Sequence, residues 1–271
     1  MFISDKLCFL ELGKTGCSYI REVLSQNIQQ GYLTHIHDTI DSELLNSNRF
    51  FLGSIRNPFD WYVSLWAFGC LHKKKDPLYS NLTSRRINPF RLSSINKNYL
   101  KKTKFISNQL IKNIGMNKKL YSDPLNVDNF KEWIKIILKK KNKNQLGEHY
   151  AISNTNKFIG YMTFHYLLRF VRPDKLYMLF NDEVSNYEDL KNFDKSFNFI
   201  KSTIKFENID QDLLNIFNQL NIPIDKKKLI KKNPVNKSIR LKNTMSYYDN
   251  ETIKIVQQND SLIFEKYEYS S

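Results

Sequence analysis

Two stretches of this chain carry residue types and spacings suited to gripping a phosphorylated or sulfated anion. The first is Gly13-Lys14-Thr15-Gly16-Cys17-Ser18. The apolar run LCFLEL at 7–12 precedes it, and Ile20, Val23, Leu24 and Ile28 follow at helical spacing. Such a run reads as a buried strand and such a spacing as an amphipathic helix. The local unit is therefore strand, tight glycine-containing loop, helix. Backbone N–H groups at the helix start and the positive end of its dipole then converge on an anion, and Lys14 adds a mobile charge. The second stretch joins another buried-strand candidate, FFLGSI at 50–55, to Arg56 and a helix start at Asn57-Pro58-Phe59-Asp60. Asn57 can cap, Pro58 sits where a missing N–H costs nothing, and Asp60 suits the first turn. Trp61, Leu65 and Phe68 form the expected inward stripe, with Ser64 among them. An arginine at the strand end offers a phosphate a planar fork that lysine would match only as a point charge.

Nucleoside-triphosphatase chemistry fits these stretches poorly. Its loop is G-x-x-x-x-G-K-[ST], and counting back from Gly13 puts Cys8 where the first glycine belongs. The second strand ends in Arg56 where a magnesium-holding aspartate is expected.

The segment FLELGKTGCSYIR resembles the 5′-phosphosulfate loop of sulfotransferases that use 3′-phosphoadenosine 5′-phosphosulfate (PAPS), usually near P-K-T-G-[GT]-[ST]. GSIRNPFDWYVSLW resembles their 3′-phosphate motif, an arginine at a strand end with a serine eight residues on. IKFENIDQDL and the C-terminal stretch NKSIRLKNTMSYYDNETIKIVQQNDSLIFEKYEY are similar to carbohydrate-type and bacterial members. The four matches are collinear and leave 73–157 uncovered. Gly13 replaces the usual proline and Cys17 a common glycine or threonine; neither change removes a phosphate ligand.

The resemblance implies an α/β, P-loop-like sulfotransferase fold, a central mostly parallel sheet flanked by helices, in one domain over 1–271. It implies PAPS as sulfuryl donor, no metal, and a small-molecule or glycan acceptor. Lys14 would stabilise charge on the leaving group. Thr15, Gly16, Cys17 and Ser18 would supply backbone N–H groups, with the hydroxyls of Thr15 and Ser18 as further donors. Arg56 and Ser64 would hold the 3′-phosphate, and Lys237 and Arg240 would close over the cofactor's phosphates. Glu207 and Asn208 lie in a family-like segment that reads equally well as a turn into a helix. Histidine, with its ordinary pKa near 6.5, suits the general base. Of His35, His37, His72, His149 and His165, His37 is chosen because related sequences often carry a histidine after the first helix; Asp38 adjoins it. Glu148 and His149 come next, and His165 reads as a core residue.

The remaining elements must position these groups. Residues 73–127 are Lys/Asn/Ser-rich with weak periodicity and read as an acceptor-shaping insertion or lid. An amphipathic helix is expected over 129–140, an apolar packed segment over 158–170, and a strand over 175–180. Residues 203–220 read as strand, turn and helix, 226–243 as a basic loop. A final helix carries Ile253, Val256, Asp260, Ile263 and Phe264. Strands alternating with helices point to an α/β fold.

Composition narrows the class. With 271 residues, 41% hydrophobic and 14% aromatic, and only 8 Gly and 7 Pro, the chain is neither disordered nor collagen-like. Its 42 Lys+Arg against 27 Asp+Glu give +15, which favours an anionic partner. Three cysteines without CxxC spacing argue against a disulfide framework or structural zinc. No signal peptide or membrane helix is read, so a cytoplasmic protein is expected, with no nucleic-acid or membrane partner. The competing classes are a P-loop nucleotide kinase and a basic, non-enzymatic module binding nucleic acid or glycans through its lysines.

Overall fold

A computed structural model describes residues 1–35, 40–85, 99–143, 146–224 and 239–270. The chain forms two compact units: residues 1–57, 165–176 and 194–237, and residues 58–164, 177–193 and 238–271.

The first unit is built on a five-stranded mixed sheet. Its strands are β1 (Phe2–Ile3), β2 (Leu7–Phe9), β3 (Tyr32–Leu33), β4 (Phe50–Ile55) and β5 (Ser202–Lys205), in the order β3-β1-β2-β4-β5. β2, β4 and β5 are parallel, with Cys8 opposite Phe51 and Ser54 opposite Ile204. β1 runs antiparallel to both β2 and β3, so the sheet is parallel only in its three-strand core.

Two helices of this unit bury one face of the sheet. α1 (Cys17–Asn27) contributes Ile20, Val23 and Leu24; α11 (Ile209–Gln219) contributes Leu213, Ile216 and Phe217. These pack with Phe2, Leu7, Phe9, Leu52 and Ile204. On the opposite face Phe51 meets Phe199 edge-on at 5.3 Å. Gly53 there admits Phe170, whose Cζ would lie 2.7 Å from any Cβ at that position.

The second unit is helical. α3 (Pro58–Leu71) is buried on nearly every side: Phe59, Tyr62, Val63, Trp66 and Ala67 are inside as well as Trp61 and Leu65. The expected single stripe was too narrow because a helix apolar all round belongs in a core. α7 (Val127–Leu138), the helix expected over 129–140, inserts Phe130, Trp133 and Ile137. Trp66, Phe130 and Tyr247 form a T-shaped aromatic cluster with centroids 5.3–5.8 Å apart.

Segment 73–127 contributes to this core and is not solely a lid. Its described part contains α4 (Pro77–Thr83), capped by Asp76, and α6 (Ile114–Lys119), capped by Asn113. Leu78, Leu82 and Tyr121 are buried, and Trp133 Nε1 donates to Tyr121 Oη at 2.6 Å.

Two expectations are corrected. Residues 175–180 form no strand: Pro173–Leu179 is a 3₁₀ helix, with Lys175 N–H bonded to Arg172 O at 3.0 Å. Pro173 presets the turn and Asp174 favours its start, which overrides the apolar run. The final helix is also divided, into α12 (Asn250–Asn259) and α13 (Ser261–Tyr267). Asp260, at φ −114° and ψ 28°, stands between them. Among the described residues, no helix is long and apolar enough to cross a membrane.

Candidate functional site

The residues after β2, β4 and β5 converge at the carboxyl ends of the three parallel strands, where open α/β sheets bind ligands. After β2, Leu10 N–H bonds to Leu52 O at 2.8 Å and carries the chain along β4 into the loop. Glu11 is buried, its Oε1 3.2 Å from Arg21 Nη1.

The loop is tightened from within. Thr15 is fully buried and its hydroxyl donates to Leu12 O at 2.5 Å. That uses its one proton, so the 2.6 Å contact with Ser54 is donated by the Ser54 hydroxyl. Cys17 Sγ, 3.0 Å from Leu12 O, donates to the same carbonyl, and burial pushes its thiol pKa up. The side chains of Thr15 and Cys17 therefore hold the loop, and the Thr15 hydroxyl, expected as a donor to a ligand, donates within the fold instead.

The main chain is left-handed at Lys14 (φ 69°) and Gly16 (φ 83°). Gly16 meets both reasons for glycine: its backbone angle, and a Cβ there would stand 2.8 Å from Ile209 Cδ1 and 3.1 Å from Phe206 Cδ2. α1 starts immediately afterwards with no side-chain cap and no acidic residue in its first turn. By contrast, Asp76, Asn113, Asn126 and Asp249 cap the helices that follow them. The start of α1 thus has neither a side-chain cap nor a carboxylate against its positive dipole end.

Arg56, at the end of β4, is 4% exposed. Its Nη1 donates to Lys14 O at 3.0 Å, and its guanidinium lies 3.9 Å from the centroid of the Phe206 ring. The arginine and the loop lysine therefore belong to one local structure. The residues after β5 lock it: Glu207 Oε1 accepts from Asn57 N–H at 2.7 Å, and Asp210 accepts from Tyr19 Oη at 2.5 Å.

Sequence reasoning missed Phe206 and Ser54. The signal for Ser54 was a lone hydroxyl inside an otherwise apolar strand. For Phe206 it was an aromatic residue at the end of a strand that feeds a helix.

Ser18 is exposed on the first turn of α1. Ser64 is half-buried on α3, in the second unit. Arg240, also in the second unit, is ion-paired with Asp60, which accepts from Thr244 Oγ1 at 2.7 Å as well. His37 and Lys237, together with Asp38, lie outside the described residues. His35, His72 and His149 are exposed, and His165 is half-buried on α9 (Tyr161–Phe170). Cys8, Cys17 and Cys70 are free thiols.

No family model matches the chain, and neither a curated protein nor a solved structure matches it.

Proposed function

We propose that this chain is a PAPS-dependent sulfotransferase whose donor site is the loop 13–18 together with Arg56. The observation that carries the reading is the pairing of an uncapped helix start, free of acidic residues, with a buried arginine bonded to the loop's own Lys14 carbonyl. The donor set suits a molecule with phosphoryl groups at both ends: amides and a lysine for one, a guanidinium for the other.

PAPS supplies a sulfuryl group already activated by its bond to the 5′-phosphate. Sulfuryl transfer asks the protein mainly for position and for dispersal of charge on the departing oxygen. Lys14 serves that departing oxygen. The amides of Gly16, Cys17 and Ser18 hold the 5′-phosphate, and Arg56 takes the 3′-phosphate. His37 accepts the proton of the acceptor hydroxyl or amine, and Lys237 adds positive charge. The acceptor is a small molecule or a glycan.

Calorimetric titration in magnesium-free buffer tests the reading. Adenosine 3′,5′-bisphosphate should bind tightly and AMP more weakly, with no change on adding magnesium. Equal affinity for the two nucleotides would overturn it, and ATP hydrolysis that requires magnesium would favour a kinase instead.

A further inference from the structure

A cavity of about 350 Å³ opens in the second unit, between the end of α7, the residues that follow it, the turn at 157–158 and the last turns of α12. This size falls within the range of small-molecule sites, about 300–1,000 Å³. Four lysines line it, Lys139, Lys140, Lys143 and Lys157, and no carboxylate does. Lys139 is neutralised by Glu251 at 2.8 Å. Lys140 and Lys157 are exposed and have no ion-pair partner among the described residues.

Lys143 is the unusual member, only 2% exposed. Its Nζ donates to Ile159 O at 2.7 Å and to Asn259 Oδ1 at 2.5 Å. Both acceptors are neutral and an ammonium carries three hydrogens, so one donor has no acceptor among the described residues. Burial lowers the Lys143 pKa to about 8, with Asp260 acting against the shift and Lys140 adding to it. A buried ammonium hydrogen-bonded only to neutral groups is costly even with Asp260 acting on it from outside the cavity lining, and an anion in the cavity offsets that cost. Phe158 and Ile255 add apolar wall.

We propose that this cavity binds the monoester of an oxyanion, a phosphate or sulfate ester, with its charged head among Lys140, Lys143 and Lys157 and its organic part against Phe158. A nucleic-acid backbone is disfavoured because the buried cation can meet only a group that enters the cavity. The proposal is independent of the donor-site reading and shares no residue with it.

The test titrates the full chain with phenyl phosphate and with phenyl sulfate, following heat and the ¹⁵N signal of the Lys143 ammonium. Saturable binding of either ester is expected, with the Lys143 signal moving towards its charged form at pH 8. Binding should survive Arg56→Ala and weaken at least about tenfold in Lys140→Ala/Lys157→Ala, two exposed substitutions that remove charge-assisted hydrogen bonds. Binding of one ester alone identifies the head group. Binding lost in Arg56→Ala but kept in the double variant would assign it to the donor site and overturn the proposal. So would the absence of saturable binding, or a Lys143 signal unmoved at saturation.

Discussion

The loop at 13–18 and the junction at Asp260 are both polar points set in apolar surroundings, and the chain treats them in opposite ways. Asp260 is fully buried, and three protein donors hold it. Tyr62 Oη donates at 2.7 Å, Thr163 N–H at 2.8 Å and Thr163 Oγ1 at 2.7 Å. Gly160 stands aside for it, since a Cβ there would lie 2.3 Å from Oδ2. At the loop, hydroxyl and thiol turn inward onto one carbonyl, the backbone is left-handed at two positions, and the helix that follows starts without a cap. In the first arrangement both carboxylate oxygens are hydrogen-bonded within the fold. The second holds a non-glycine residue in a left-handed conformation and starts a helix without a side-chain cap, the kind of local strain that clusters at functional sites.

The largest effect expected from this contrast is at the buried carboxylate. Asp260→Ala strands three buried donors and should lower unfolding free energy by about 3–5 kcal/mol, the scale for breaking a buried charged network. Urea denaturation measures it. A loss under about 1 kcal/mol would mean that the network is dispensable and that the contrast is one of appearance.

Arg56→Ala should act mainly on ligand affinity. Adenosine 3′,5′-bisphosphate binding should weaken by about 1.5–3 kcal/mol, the worth of a hydrogen bond to a charged group. AMP binding should change less, because AMP lacks the 3′-phosphate. Titration of both nucleotides reads the difference, and unchanged affinity for the bisphosphate removes Arg56 from the site.

How far the sequence foretold this contrast depends on where the partners of each residue lie. The strands at 7–9 and 50–55 were legible because buried parallel strands are continuous apolar runs. The strand at 202–205, Ser-Thr-Ile-Lys with only Ile204 buried, was legible from the turn and helix that follow it. The loop was legible because its glycines, lysine and flanking elements are neighbours in the chain. β1 and β3 were missed: two residues each are too few for a period to show. The Asp260 network was also missed, and there Asp260 was read as one position of a helical stripe. Its donors stand 97 and 198 residues away, a pairing that no local pattern encodes. The same limit explains Arg56: its strand-end position could be read, but not its bond to the Lys14 carbonyl 42 residues back.

Gly16→Ala sharpens the comparison from the strained side. A left-handed alanine costs about 1–2 kcal/mol, and its methyl would press on Ile209 and Phe206. Stability should fall by at least that amount and nucleotide affinity with it. An alanine variant with wild-type stability and affinity would show that the loop tolerates a different path.

The smallest expected effect is the most discriminating, because stability and activity should move in opposite directions. Lys14 holds a left-handed backbone that a non-glycine residue adopts at a cost of about 1–2 kcal/mol. In Lys14→Gly that cost disappears, while glycine's greater freedom in the unfolded chain takes back about 0.5–1 kcal/mol. The net should be a gain of about 0.5 kcal/mol in unfolding free energy. On the proposed reading turnover should nevertheless collapse, because the cation assigned to the departing oxygen is gone, and bisphosphate affinity should fall far less than turnover. Asp260 offers no counterpart, since every change there is expected to lose stability. If Lys14→Gly loses stability, the left-handed turn is not a reservoir of strain. If its turnover is unaltered, the lysine is structural and the loop must act through its amides alone.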